Sequence, residues 1–366
     1  MLCNEATRLL QVQYPIIQAP MAGGVTTAKL VAAVSNAGGL GSIGAGYLHA
    51  AQTRELIREV RQLTRNPFSV NLFVPNEFHA EEEEAAAAAQ LLQPICEKLG
   101  ILYDMPQRPD IEAVRAVFDE QVQVVIDEKV PICSFTFGIP SNEIIAKLKR
   151  HNVLLIGTAT TVAEAAAVEQ AGLDLVVLQG SEAGGHRGNF ISEFPESIIG
   201  LMSLIPQTVD RVGIPVIAAG GIMDGRGLLA ALCLGAKGVQ MGTAFLTCEE
   251  SGAPAVYKAA LLSASEEETV FTRTFSGKWA RGIQNTFMKE MQKHEGAVPA
   301  FPIQNALTQP IRKAAASQQN PAFMSLWSGQ SPRLAKRQSA EALIRSMAAE
   351  AEGIVRSMGV SCRRSI

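Results

Sequence analysis

Short apolar runs alternate with amphipathic segments along the first two thirds of the chain. The runs are bounded by glycine, proline or polar residues, which favours short strands buried on both faces. The segments between them repeat their apolar residues at helical spacing. The predicted strands are 15–22, 40–46, 68–74, 130–138, 152–160, 173–181, 215–221 and 238–246. The predicted helices between them are 27–36, 51–63, 141–151, 162–171, 198–211 and 225–234.

Eight strands that alternate with helices predict an α/β fold of the (β/α)₈ or TIM barrel class. The rival architecture is an open, doubly wound parallel sheet. Such a sheet usually has fewer strands and a G-x-G-x-x-G phosphate loop after its first strand. The first loop here reads Met21-Ala22-Gly23-Gly24 and does not match that pattern. We therefore expect the closed barrel.

The connection between the third and fourth predicted strands is much longer than the others. It starts with an acidic run at 81–84, which suits a helix N-terminus, and resumes a helical pattern after a proline-punctuated link. The alternation of strands and helices ends after the eighth strand. We therefore predict a barrel domain at 1–248 with a helical insert at 78–128. A smaller, mainly helical substrate or lid domain is expected at 249–330, and a C-terminal helix within 331–366 is expected to return to the barrel.

The composition limits the classes of function. Hydrophobic residues make up 47% of the chain and charged residues 18%, so a large core is expected and a disordered interior is not. A net charge of −3 provides no basic surface for nucleic acid or an anionic membrane. The six cysteines are scattered without a C-x-x-C pair, which argues against a metal site and a disulfide framework. The cysteine pattern and the lack of a signal-peptide pattern at the start of the sequence lead us to expect a cytoplasmic protein. The oligomeric state is left open between monomer and homodimer.

The sixth predicted strand ends in a glycine-rich loop, 179–188, that carries a single histidine, His186. Glycine lets the backbone approach a ligand closely, and histidine is well suited to proton transfer near neutral pH. Catalytic groups of α/β barrels lie at the carboxyl ends of the strands. His186 is therefore the candidate catalytic residue. Glu182 and Arg187 flank it, either as surface charges or as an ion pair that fixes the loop.

Glycines also follow the seventh and eighth predicted strands, where barrels of this class often bind phosphate. One strand ends in Gly220-Gly221 and the other in Gln240-Met241-Gly242-Thr243. Unhindered backbone N–H groups and the Thr243 hydroxyl suit an anion at these places. Tight turns alone would also use glycine, but two such loops at the expected positions predict a phosphate site.

A phosphate belongs equally to a sugar, a nucleotide or a flavin, and the first strand narrows this choice. Small residues and glycines at 18–24 would let a flat ring lie against the backbone. Asn71 and Gln179, each at a strand end, provide amides that can bond a heterocycle in its plane. Taken alone, each amide fits a structural turn or a core hydrogen bond better than a ligand contact. Together they indicate a ring across the barrel mouth.

These segments together resemble the nitronate monooxygenase family, formerly called 2-nitropropane dioxygenases, which are FMN-dependent barrel enzymes. The resemblance extends over the predicted barrel and, less closely, over 276–282 and 326–330. The glycine–histidine loop also occurs in FMN-dependent enoyl reductases and NADH:quinone reductases, but the form of 18–24 and the long insert favour nitronate enzymes of the first class. The matching segments are 18–24, 35–41, Asn71, 180–188, 218–222 and 240–243.

The resemblance implies roles for the matching residues. The first loop would lie under the flavin, the strand-end amides and Gly184 would hold its ring and ribityl chain, and the later glycines would bind its phosphate. His186 would stand beside the flavin at the substrate site, where Ser276 and Lys278 are further candidates. The residues expected to bind FMN are Met21, Ala22, Gly23, Asn71, Gln179, Gly184, Gly220, Gly221, Gln240, Met241, Gly242 and Thr243.

The implied reaction is the oxidation of an alkyl nitronate by O₂ to a carbonyl compound and nitrite, through a flavin semiquinone. Propionate 3-nitronate is the family-level candidate substrate. A neutral His186 would remove the α-proton of a nitroalkane, whereas a protonated one would hold the anionic nitro group. The main alternative is an FMN-dependent NAD(P)H reductase of a quinone or enoyl thioester. A dehydrogenase of the IMP type is disfavoured because it needs a nucleophilic cysteine in the loop after the sixth strand, and this loop has none. A flavin-storage protein is disfavoured because it would not need an imidazole such as His186 beside the ring.

Overall fold

The computed structural model describes residues 2–78 and 81–363 of the 366-residue chain, and the side chains as far as residue 358. Strands and helices alternate from the N-terminus to about residue 246. The strands are β1 (Ile16–Gln18), β2 (Gly41–Gly44), β3 (Phe68–Phe73), β4 (Ile132–Thr136), β5 (Leu154–Ala159), β6 (Leu175–Gln179), β7 (Gly185–His186), β8 (Val216–Ala219), β9 (Gly238–Met241), β10 (Thr269–Thr272) and β11 (Ala280–Ile283).

The helices of the barrel region follow the strands as the hydrophobic pattern predicts. The helices up to the end of the barrel are α1 (Glu5–Leu10), α2 (Ala28–Asn36), α3 (Ala50–Leu63), α4 (Glu82–Leu99), α5 (Ile111–Asp127), α6 (Asn142–Arg150), α7 (Val162–Gln170), α8 (Leu201–Val209), α9 (Gly225–Cys233) and α10 (Thr243–Leu246). The later helices are α11 (Ala255–Ser263), α12 (Thr286–Met291), α13 (Ile303–Ser317) and α14 (Ala340–Arg363).

Eight parallel strands form one sheet in the order β1-β9-β8-β6-β5-β4-β3-β2. The two end strands meet through a parallel bridge between Ile17 and Leu40, and the N–H of Gln18 donates to the carbonyl of Leu40 at 2.9 Å. The sheet is therefore a barrel, as predicted, and not an open doubly wound sheet. Parallel order places the carboxyl ends of all eight strands on one rim, where the predicted site residues must meet.

Two element predictions differ from the structure. The eighth strand was expected to run to residue 246, but β9 ends at Met241 and Thr243–Leu246 is the short helix α10. A short apolar run that is buried on all sides does not distinguish strand from helix. The region after the barrel, expected to be mainly helical, also contains β10 and β11, which pair antiparallel with each other and then with β7.

A second hydrophobic core lies beside the barrel and includes Tyr257, Phe275, Phe287 and Leu326. Helix α4 of the insert belongs to this core because it packs on α13, whereas α5 packs on α3 and β3 of the barrel. We therefore propose that the insert is shared between the two cores, with the predicted boundaries otherwise unchanged.

Helix α14 packs against α2 and α9 on the outside of the barrel. Close approach is possible because Gly225 has no side chain: a Cβ there would lie 2.6 Å from the carbonyl oxygen of Met347. Among the residues that the structure describes, no helix is long and apolar enough to cross a membrane.

Glu164, at the start of α7, holds the segment that follows the glycine–histidine loop. Its N–H donates to Thr161 Oγ1 at 3.2 Å, but its carboxylate does not return that bond as a capping box requires. Instead Oε1 accepts the N–H groups of residues 190, 191 and 192 at 2.7, 2.9 and 3.3 Å. Oε2 accepts from the N–H and hydroxyl of Thr160 at 2.7 and 2.6 Å. One buried carboxylate thus joins α7 to residues 190–192.

We expect Glu164→Ala to lower the free energy of unfolding by on the order of 3 kcal/mol, because several buried donors would lose their acceptor. Chemical denaturation followed by far-UV circular dichroism measures this loss. The exposed Glu143→Ala, in the first turn of α6, is the control and should change stability by less than about 0.5 kcal/mol. A Glu164→Ala loss as small as that of the control would contradict the anchoring role.

Candidate active site

The structure brings the predicted site residues to one rim of the barrel. Asn71 lies in β3, Gln179 ends β6, and His186 belongs to β7 just above that rim. The later segment reaches the same place because β7 pairs with β11, so that His186 is opposite Ala280. The small antiparallel sheet thus attaches the candidate histidine to the second part of the chain.

Gln179 closes the glycine–histidine loop on itself. Its Nε2 donates to the carbonyl of His186 at 2.8 Å, and its Oε1 accepts the N–H of Gly188 at 2.8 Å. One amide N–H and one lone pair remain for a ligand. Gly185 has a φ of +74°, a conformation that glycine adopts without strain.

Arg187 stabilises the glycine–histidine loop, but it does not form the ion pair with Glu182 that the sequence analysis considered. Its side chain is fully buried and donates to the carbonyls of Gly180, Gln179 and Ser197 at 2.6, 3.0 and 2.7 Å. Burial lowers the pKa of Arg187 to about 10. Glu182 instead accepts the N–H of Leu201, at the start of α8, at 2.9 Å. Arg187 therefore stabilises the loop through backbone carbonyls.

His186 lies among aromatic rings and near two cations. Its ring centroid is 5.3 Å from that of Trp327 and about 6 Å from those of Phe137 and Phe301. Burial, with smaller contributions from the Lys278 and Arg312 cations, lowers the pKa of His186 to about 3. This shift favours the neutral imidazole at physiological pH.

The hydrogen bonds of Ser276 assign the tautomer of His186. The Ser276 hydroxyl lies 2.7 Å from His186 Nε2 and 3.0 Å from the carbonyl of Lys278. A hydroxyl has one proton, and donating it to the carbonyl leaves Oγ to accept from Nε2–H. Both groups are satisfied in this arrangement. Nδ1, which contacts no described hydrogen-bond partner, is then the basic nitrogen.

Lys278 and Arg312 bring two positive charges to the cleft. Lys278 Nζ donates to the carbonyl of Asn189 at 3.3 Å and lies 5.0 Å above the Phe137 ring. Burial lowers the pKa of Lys278 to about 8. Burial also lowers the pKa of Arg312, whose guanidinium bonds Asn305 and Thr308 on its own helix. Within the described part of the chain, neither cation forms an ion pair.

Arg312 and Tyr47 are candidate site residues that the sequence analysis missed. Tyr47 keeps 39% of its surface exposed. Burial of its phenol raises the pKa of Tyr47 to about 12, and the Arg312 cation acts against that shift, which places the two side chains near each other. The sequence could have indicated Tyr47, because it lies just after β2 and therefore at the rim formed by the carboxyl ends of the strands. Arg312 lies on the amphipathic helix α13 and is indistinguishable in sequence from a surface charge.

The rim residues fit a flat ring. A Cβ added to Gly44 would lie 2.7 Å from the backbone of Met21, so β2 holds the first loop closely in place. At Gly23 and Gly24 a Cβ would meet nothing within 4 Å, which leaves open space above the loop. Asn71 donates both amide hydrogens to Ser134 and Thr136, at 3.0 and 3.1 Å, so its Oδ1 remains to accept from a ligand N–H.

The rim residues also fit a phosphate. The N–H groups of Gly184, Gly221 and Gly242 donate to no other described residue. Strand pairing brings the ends of β8 and β9 side by side, and Thr243 Oγ1 accepts the N–H of Gly329 at 2.9 Å. The side chain of Met241 is buried and its carbonyl accepts the N–H of Ala19, so neither faces a ligand. Among the side chains that the structure describes, in residues 2–78 and 81–358, no group of three or more His, Cys, Asp or Glu could hold a metal ion.

Comparison with known sequences gives one consistent family. A family model described as nitronate monooxygenase matches residues 4–350. A probable nitronate monooxygenase of Staphylococcus haemolyticus is 53% identical over 344 residues, which cover 93% of this chain and 95% of the relative. One of Staphylococcus aureus strain Newman is 50% identical over 345 residues with the same coverage.

Solved structures resemble the whole chain. Nitroalkane oxidase from Streptomyces ansochromogenes aligns with a TM-score of 0.88 at 41% identity, covering 96% of this chain and 99% of that one. FabK from Thermotoga maritima aligns with a TM-score of 0.77 at 31% identity, covering 97% and 98%. The rim geometry, the family match and these relatives agree, and the chain belongs to the nitronate monooxygenase family and is an oxidoreductase.

Proposed function

We propose that this protein uses FMN to oxidise nitronates with O₂, giving a carbonyl compound and nitrite. The observation that carries the proposal is a neutral imidazole, His186, near two unpaired cations and beside a rim of free backbone N–H groups. FMN, when bound, supplies the electron transfer and the reaction with O₂. Met21, Asn71 and Gln179 would hold its ring.

The two cations select the charge of the substrate. Burial lowers the pKa of both Lys278 and Arg312, and neither forms an ion pair with a described carboxylate, so an anion beside them would gain their attraction in a poorly solvated place. The walls formed by Phe137, Phe301 and Trp327 exclude water and strengthen that attraction. A nitronate is an anion, whereas its parent nitroalkane is neutral. The cleft therefore favours the nitronate.

The low pKa of His186 points the same way. An imidazole whose protonated form has a pKa near 3 is a weak base. Each unit by which this pKa lies below that of the nitroalkane C–H costs about 1.4 kcal/mol in the proton transfer. His186 Nδ1 can still accept an α-proton, because it is unprotonated and is oriented through Ser276. The site is thus suited to a substrate that arrives already ionised, with slow use of the neutral nitroalkane.

Arg312 narrows the substrate class. It lies on α13 near Tyr47, and both it and Lys278 act on the pKa of His186, so Lys278 would provide a separate positive charge for the nitronate group. A second anionic group on the substrate would occupy the guanidinium, which suits a carboxylated nitronate such as propionate 3-nitronate better than a simple alkyl nitronate. The substrate proposed here is therefore a short nitronate that carries a carboxylate.

The activity is tested on the purified full-length protein. We expect a flavin absorbance spectrum, release of FMN on denaturation, and oxygen uptake with nitrite formation when a nitronate is added. NADH added without oxygen should leave the flavin colour unchanged over the time of turnover. Rapid anaerobic bleaching by NADH together with absent oxygen uptake would instead favour the NAD(P)H reductase.

His186→Asn should reduce kcat/KM for a neutral nitroalkane by about 10²-fold, because the candidate base is lost. Turnover of the preformed nitronate should fall by less than about tenfold, since that reaction needs no α-proton removal. Oxygen-uptake rates with nitroethane and with ethyl nitronate measure both. Equal losses on the two substrates would reject the base role. The control Ser203→Asn lies on the exposed side of α8 and should change neither rate.

Arg312→Gln should raise KM for propionate 3-nitronate about 10- to 100-fold, the effect of removing one hydrogen bond between charged groups. KM for ethyl nitronate, which has no carboxylate, should change little. Lys313→Gln on the exposed side of the same helix is the matched control and should leave both values near wild type. Equal increases for both nitronates would show that Arg312 does not read the carboxylate.

A further inference from the structure

Residues 328–331, here called the strap, lie against the rim at the predicted phosphate site. The N–H of Gln330 donates to the carbonyl of Glu182 at 2.9 Å, and the N–H of Gly329 donates to Thr243 Oγ1 at 2.9 Å. A Cβ added to Gly184 would lie 2.5 Å from the nitrogen of Gly329, so strap and loop touch backbone to backbone. The strap therefore contacts the loops that follow both β6 and β9.

The strap also orients the Thr243 hydroxyl. Because Thr243 Oγ1 accepts from Gly329, one of its lone pairs is occupied by the strap. The hydroxyl proton is donated to no described residue, so it remains for a ligand. The same place has the free N–H groups of Gly184, Gly221 and Gly242. These donors suit an acceptor with several oxygen atoms and negative charge.

Ser331 brings a further donor to this place. Its side chain is half-buried, and its hydroxyl forms no hydrogen bond with a described residue. A Cβ added to Gly221 would lie 3.5 Å from Ser331 Oγ, so the hydroxyl faces the glycine after β8. Gly221 itself has a φ of +65°, a conformation that any side chain would strain.

We propose that Ser331 donates a hydrogen bond to the phosphate of the flavin, so that the phosphate joins the barrel rim to the strap. This inference rests on the proposed use of FMN. The strap directly follows Trp327, which packs against the second core and whose carbonyl accepts from the Tyr257 hydroxyl at 2.6 Å. A flavin without a phosphate would satisfy the ring contacts but leave Ser331 without a partner.

The test compares FMN with riboflavin, which has the same ring and no phosphate. Each flavin is exchanged into the full-length protein, and dissociation constants are measured by flavin fluorescence for wild type and Ser331→Ala. We expect Ser331→Ala to weaken FMN binding about tenfold or more while riboflavin binding stays within about threefold of wild type. Ser331→Thr, which keeps the hydroxyl, should restore most of the FMN affinity.

Ser328→Ala is the matched control within the strap, because its hydroxyl bonds the carbonyl of Gly329. Its ratio of FMN to riboflavin affinity should equal that of wild type. An unchanged ratio in Ser331→Ala, or an equal loss of both flavins, would overturn the role of Ser331. Wild-type protein that binds neither flavin would overturn the proposed function itself, which is a different result from a failure at Ser331.

Discussion

The position of His186 depends on one buried guanidinium. Arg187 follows His186 in the chain and donates hydrogen bonds to three carbonyls, two at the start of the glycine loop and one at Ser197 beyond its end. These bonds fix the conformation of the loop. Gln179 then closes the loop above it. A guanidinium without an ion pair is costly to bury, and here its cost is offset by charge-assisted bonds to carbonyls. These hydrogen bonds restrict the glycine-rich loop and thereby fix the position of the His186 imidazole.

The electrostatics of the cleft link substrate choice to proton transfer. The cations that attract an anion also lower the pKa of His186, although burial is the larger cause. His186 would be a stronger base with fewer positive charges nearby, whereas tighter binding of an anionic substrate would require more of them. In the proposed function, Lys278 and Arg312 would favour anion binding, and proton abstraction by His186 would be the weaker activity of the site.

The barrel could be predicted from sequence because strands of a closed parallel sheet are buried on both faces and appear as separate apolar runs. The glycine loops after β6, β8 and β9 were found for the same reason, since the fold fixes which rim they occupy. The pairing of β7 with β11 was not found, because it joins segments almost 100 residues apart. Arg312 was missed because its site role depends on where α13 packs, which the local pattern does not encode.

The surroundings of the two tryptophans have an optical consequence. Trp327 stands against the imidazole, whereas Trp279 stacks on Phe194 with ring centroids 4.2 Å apart. The emission of the protein should therefore combine contributions from two different surroundings, one beside His186 and one in the aromatic pair with Phe194. Because the chain has only these two tryptophans, the intrinsic fluorescence of unlabelled protein should report on binding of a ligand beside His186.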